Sequence, residues 1–196
     1  MRLASMLAAP PLAAVILAAL PAAAAAQTVM PVEKFESVEL HGGGTVTIRQ
    51  GSVQRVTMIR GDRDVAGFDV IDRGQGGKLV ISACRGFCMG SHRLEVEIQT
   101  PSLNGAAVNG GGHIVAEGAF PAQGAVSAVI HGGGVIDLKA VPAQSASVVI
   151  HGGGKIFVTA QNNLAASING GGSIRYLGQP TVSSSIHGGG TVDSLR

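Results

Sequence analysis

The sequence predicts an all-β protein wound as a right-handed parallel β-helix, a solenoid with coils of about 18–22 residues and a less regular N-terminal part. Three observations lead there. Three consecutive glycines preceded by His or Asn occur six times: HGGG at 41–44, 131–134, 151–154 and 187–190, and NGGG at 109–112 and 169–172. From the second copy on, the leading residues Asn109, His131, His151, Asn169 and His187 fall 18 to 22 residues apart, a spacing that marks stacked repeats. Apolar residues alternate with polar or small ones on both flanks of each copy, as in half-buried strands.

The N-terminal stretch MRLASMLAAPPLAAVILAALPAAAAAQ has one positive charge at Arg2, an apolar run broken by Pro10, Pro11 and Pro21, and the small-residue end Ala24, Ala25, Ala26. It reads as a signal peptide over residues 1–26, with cleavage before Gln27. The prolines argue against a membrane-spanning helix, and no later stretch has the ~18 uninterrupted apolar residues a span needs. The remainder has the length of one domain. Residues 27–105 hold most of the charge and lack regular triplets beyond the first. They read as less regular strands of the same domain, with VQRVTMIRG, KLVISA and HRLEVEIQT alternating like strands. Residues 106–196 are the regular repeats, where only seven charged residues follow position 102.

Aligning the copies gives the expected core. Five residues after the leading His or Asn stand Val46, Ile114, Ile136, Ile156, Ile174 and Val192; immediately before it stand Leu40, Val108, Ile130, Ile150, Ile168 and Ile186. With no Trp and only 3% aromatics, the core is built of Val, Ile, Leu and Ala in thin layers. The triplets, such as Gly132, Gly133, Gly134 and Gly152, Gly153, Gly154, suit corners where the backbone turns through positive φ and has no room for a Cβ. The leading residues His41, Asn109, His131, His151, Asn169 and His187 suit positive φ as well, since Asn and His are enriched there. Equivalent side chains on successive rungs form a ladder.

The copies SVELHGGGTVTI, LNGAAVNGGGHI, SAVIHGGGVIDL, SVVIHGGGKIFV, AASINGGGSIRY and SSSIHGGGTVDS resemble the auto-transporter adhesin head GIN domain family, bacterial envelope proteins, over nearly all of 35–196. The resemblance implies a right-handed β-helical fold outside the cytoplasm and no enzymatic activity. The histidine-rich motif departs from the Ser, Asn or Asp expected before the glycines.

That departure raises the question of chemistry. His131 and His151 on adjacent rungs, with His113 or Asn109 nearby, are the candidate ligands for zinc or copper, which imidazole holds at ~2.0–2.1 Å. The plainer reading is an exposed ladder set by the backbone, because Asn109 and Asn169 replace the ligand without disturbing the pattern. No metal and no cofactor is therefore expected. Catalysis has less support. The regular repeats offer only Glu117, Asp137 and Asp193 as carboxylates, Ser183–Ser185 lack a triad acid, and HGGGK at 151–155 lacks the context of a phosphate-binding loop. Cys84 and Cys88, in CRGFCMG, are expected to form a disulfide, as in an exported protein. A metal site with His92 or a redox pair is the weaker reading of C-x3-C.

The sequence thus points to an exported, non-enzymatic domain with a structural or adhesin-like binding role in the bacterial envelope, periplasmic or at the cell surface. The rivals are an enzyme acting on polysaccharide and periplasmic metal binding through the histidines. The expected partner is an unidentified envelope or glycan ligand. Lys and Arg total 14 against 12 Asp and Glu, with no basic stripe for nucleic acid. The last copy, HGGGTVDSLR, leaves a strand edge that is a template for pairing, guarded by Asp193 and Arg196. It is the expected route to a homo-oligomer through the C-terminal coil.

Overall fold

Alternation of β-branched and small residues makes strands wherever the chain can bury one face. The computed structural model describes residues 27–72, 74, 76–86 and 93–195, and among them places fifteen strands in one sheet. The first half holds β1 (Thr28–Met30), β2 (Ser37–His41), β3 (Thr45–Gln50), β4 (Arg55–Arg60), β5 (Gly67–Ile71), β6 (Lys78–Ser82) and β7 (Glu95–Thr100). The repeats form β8 (Gly105–Gly110), β9 (His113–Glu117), β10 (Gln123–Gly132), β11 (Val135–Gly152), β12 (Lys155–Gly170), β13 (Ser173–Leu177), β14 (Thr181–His187) and β15 (Thr191–Ser194). The sheet order is β1-β4-β7-β3-β9-β11-β10-β8-β2-β6-β5. Strand β12 lies beside β11, β13 and β14, and β15 lies beside β13. The signal-peptide reading of residues 1–26, together with Cys88, His92 and Arg196, lies outside the described residues. No helix among the described residues is long and apolar enough to cross a membrane.

This architecture corrects the expected right-handed parallel β-helix. A solenoid of that kind needs parallel neighbours throughout and short strands broken at every corner. Here β1–β4, β4–β7 and β5–β6 pair antiparallel, and β11 and β12 run on as single strands of 18 and 16 residues. The result is a mixed sheet curled into a nearly closed, barrel-like wall. The reason is local. Between residues 50 and 100 no glycine triplet redirects the chain, so β4 returns antiparallel to β7, and Arg60 pairs with Glu95 at 3.1 Å across the two strands. In β11 the inward alternation of Ile136 and Leu138 resumes one residue out of phase at Val141 and Ala143, both buried. A register shift between Leu138 and Pro142 absorbs the bend as a bulge rather than a corner.

The core columns follow the alignment of the repeats. Val46, Ile114, Ile136, Ile156 and Ile174 are fully buried on one wall, as are Leu40, Val108, Ile130, Ile150 and Ile168 on the other. Each such burial is worth about 1.5–3 kcal/mol. A single apolar cluster extends from Phe35 to Ile174. At the ends of the columns Val192 is half-buried and Ile186 exposed.

The corners depart from expectation in one respect. Among the described residues no His or Asn, and no other non-glycine residue, has a positive φ. The first glycine of the triplet takes that conformation instead, with φ +125° at Gly132 and +128° at Gly152. The leading His or Asn stays within the strand pairing, which in β8, β10, β11 and β12 runs on to that glycine, and this keeps its side chain in the ladder.

Candidate functional site

In-register parallel pairing carries one row of side chains along the whole wall. His41, Asn109, His131, His151, Asn169 and His187 are successive neighbours on β2, β8, β10, β11, β12 and β14. With strands roughly 4.8 Å apart, these six polar side chains form a regular, outward-facing ladder. Asn109 is half-buried and the others are exposed.

The rings of His131 and His151 stack with centroids 5.0 Å apart and planes 10° from parallel. The Asn169 amide nitrogen lies 3.3 Å from His151 Nδ1. In stacked rings the nitrogen lone pairs lie in the ring planes and run side by side, so these two imidazoles do not converge on one ion at ~2.0–2.1 Å. His113 stands on the opposite wall, in β9, between Thr45 and Val135. Among the described residues no group of three or more His, Cys, Asp or Glu is placed to hold a metal.

One end of the ladder is charged, a feature that sequence reasoning missed. Glu39, two residues before His41 and so on the same face, sits 2.6 Å from His41 Nε2 and accepts hydrogen bonds from Lys78 Nζ at 2.8 Å and Asn109 Nδ2 at 2.6 Å. Burial alone would raise the Glu39 carboxyl, but the hydrogen bonds and positive charge of Lys78 and His41 outweigh it and hold it below the ordinary value of 4.5. The cluster lines a concavity of about 490 Å³ with Ser37, Ile71 and Val80. The signal was present in the sequence as the charged residue in SVELH, the only copy with a carboxylate there.

Beyond this cluster the wall is neutral. Strands β8, β10 and β14 and the second halves of β11 and β12 contain no Asp, Glu, Lys or Arg. The rows beside the ladder are small or β-branched: Val129, Val149 and Ser167 in one, Ser127, Ser147 and Ala165 in the next. Charge is segregated to the other wall. There Arg49 bridges Glu97 at 3.7 Å and Glu117 at 3.3 Å, Lys139 pairs with Asp137, and the Lys139 ammonium lies 4.6 Å from the Phe157 ring centre. The carboxylates considered for catalysis are placed there too. Asp137 and Asp193 share a column but are separated by Phe157 and Arg175. Cys84 Sγ lies 3.1 Å from the Gly86 carbonyl oxygen, while Cys88 is outside the described residues.

Similar proteins were found at both the sequence and the fold level. The family described as "Putative auto-transporter adhesin, head GIN domain" matches residues 34–124 and 122–180. A crystal structure of a putative adhesin from Bacteroides fragilis is similar at 17% identity and a TM-score of 0.53, covering 87% of this chain and 96% of that one. A putative adhesin from Parabacteroides merdae has 16% identity, the same coverages and a TM-score of 0.44. A putative cell adhesion protein from Clostridium sporogenes has 13% identity and a TM-score of 0.43, over 86% of this chain and 98% of that one. The first of these shares the all-β fold. No curated protein matches the chain.

Proposed function

We propose, from the premise that this chain belongs to the head GIN domain family of putative auto-transporter adhesins, that it is an exported, non-enzymatic binding domain of the bacterial envelope, in the periplasm or at the cell surface. Its contact surface is the neutral wall, and its ligand an envelope component rich in hydroxyl groups, a glycan foremost. The observation that carries this reading is the six-residue ladder from His41 to His187, held at a constant spacing by the sheet. Imidazole and carboxamide groups each offer both donors and acceptors, and Ser127 and Ser147 add hydroxyls beside them. A flat face without charge imposes no desolvation of ions on a neutral ligand. Export rests on the signal-like residues 1–26, so the exported protein begins at Gln27, which its intact mass checks.

The test is binding of the purified chain to a panel of envelope glycans, with His131→Ala and His151→Ala combined in one variant. Because both rings are exposed, the melting temperature should stay within a few degrees while affinity falls at least tenfold. Lys155→Ala, on the charged wall, should leave affinity unchanged. Equal binding by wild type and the double variant, or loss on Lys155→Ala alone, would reject the neutral wall as the contact surface.

A further inference from the structure

We propose that two copies of this chain pair through β14, whose free edge meets its own counterpart antiparallel about a two-fold axis at Ser184. Strand β14 is hydrogen-bonded to β12 on one side and unpaired on the other among the described residues. All seven of its residues are exposed, none is charged, and it has no bulge or proline. It therefore lacks the devices that protect an edge. The opposite end of the sheet has them: β1 is three residues long, and β5 bears Asp69, paired with Arg85 at 2.8 Å.

The pattern of β14 identifies the occupant. Val182 and Ile186 are 37% and 41% exposed, although they continue columns whose preceding members, Leu164 and Ile168, are fully buried. Antiparallel pairing about Ser184 sets Val182 of one copy against Ile186 of the other, twice, and sets Thr181 against His187. Directly opposed residues share a face, so both apolar pairs point inward and extend the existing columns, with the small Ser184 between them on the axis, while Thr181, Ser183, Ser185 and His187 stay outward. Centring on Ser183 or Ser185 instead would put Val182 or Ile186 opposite Ser184 and leave an apolar residue uncovered. The strand is thus complementary to itself, which is what an isologous two-fold interface requires. The dimer continues the neutral wall from one copy into the next.

Light scattering of the full chain over a concentration series should show a mass that doubles as concentration rises. Ile186→Lys should abolish the doubling. Since Ile186 also packs below its column, a second variant removes dependence on that fold. Ser184→Cys places the new thiol on the axis, where the two Cα atoms lie about 4.5–5.5 Å apart, within disulfide range. Oxidation should yield a covalent dimer that maps to this position. Thr181→Cys alone should not, because its two copies would be roughly 20 Å apart along the strands. A mass that stays monomeric at every concentration, open-ended assemblies, or cross-linking as efficient at Thr181 as at Ser184 would each overturn the proposal.

Discussion

Replacing one glycine at a time by alanine in the 151–154 copy separates three roles that the triplet combines. At Gly152, φ is +128° and an added Cβ would lie 2.5 Å from the Gly132 carbonyl oxygen of the neighbouring rung. That oxygen cannot retreat freely, because it accepts a hydrogen bond from Gly153 N at 3.0 Å. Backbone strain of about 1–3 kcal/mol and overpacking of about 1–3 kcal/mol together predict a loss of roughly 2–6 kcal/mol for Gly152→Ala. This is a large share of a domain stability of about 5–15 kcal/mol. At roughly 2–4 °C per kcal/mol for a domain of this size, the melting temperature should fall by about 4–24 °C. At Gly154 φ is not left-handed, but a Cβ would meet Ile130 Cγ2 at 2.7 Å and the Gly134 oxygen at 2.8 Å. The overpacking cost alone applies there. At Gly153 nothing lies within 4 Å, so alanine removes only unfolded-state freedom and should be neutral or stabilising by up to ~1 kcal/mol. Calorimetry and urea titration of the three variants give the order. Melting temperatures for Gly152→Ala and Gly153→Ala within a degree of each other would refute the reasoning.

Ile156→Asp should cost more than Gly152→Ala, since it puts a carboxylate without a partner in a fully buried column; a cooperative melt near that of wild type would contradict the column. Glu39 predicts a pH dependence. Its folded pKa is depressed, so its contribution is complete above the ordinary 4.5 and is lost as pH falls through the folded value. The difference in melting temperature between wild type and Glu39→Gln should therefore shrink as pH is lowered below 4.5, and a constant difference across that range would refute it. Cys84 and Cys88 are expected to be linked in the exported protein, so thiol labelling should require prior reduction. The short loop should make the melting loss on reduction smaller than the ~3 kcal/mol of a 15-residue loop. Labelling of both cysteines without reduction is the contrary result.

The repeats were legible because the glycine triplets fix the side-chain parity of the strand segments that flank them. Ile130, Ile150 and Ile168 share both a sequence position and a buried column. The His131–His151 proximity follows from the same register. What the sequence did not disclose was direction. A strand buried on one face has the same alternation whether its neighbour runs parallel or antiparallel, so VQRVTMIRG gave no sign that β4 would pair antiparallel with both β1 and β7. Nor does alternation reveal where a strand ends. The inward parity shifts by one residue between Leu138 and Val141 and back between Ala143 and Ala146, each at a register irregularity, and β11 runs on where a corner was expected.

The leading His and Asn show why the location of strain matters to function. Enrichment of these residue types at positive φ suggested that they make the turn, yet Gly132 and Gly152 make it one residue later. The leading position is thereby relieved of any backbone requirement. It keeps strand geometry and projects outward, and Asn109 and Asn169 occupy it as readily as the histidines do. A side chain that the fold does not need is free to be chosen for what it contacts. Four histidines and two asparagines along a wall that is neutral beyond the Glu39 cluster are a choice that corner geometry does not account for. Exchanging His131 and His151 for asparagine separates the two demands. Folding should be indifferent to the exchange, whereas recognition should respond to it if the imidazole rings are what the ligand meets.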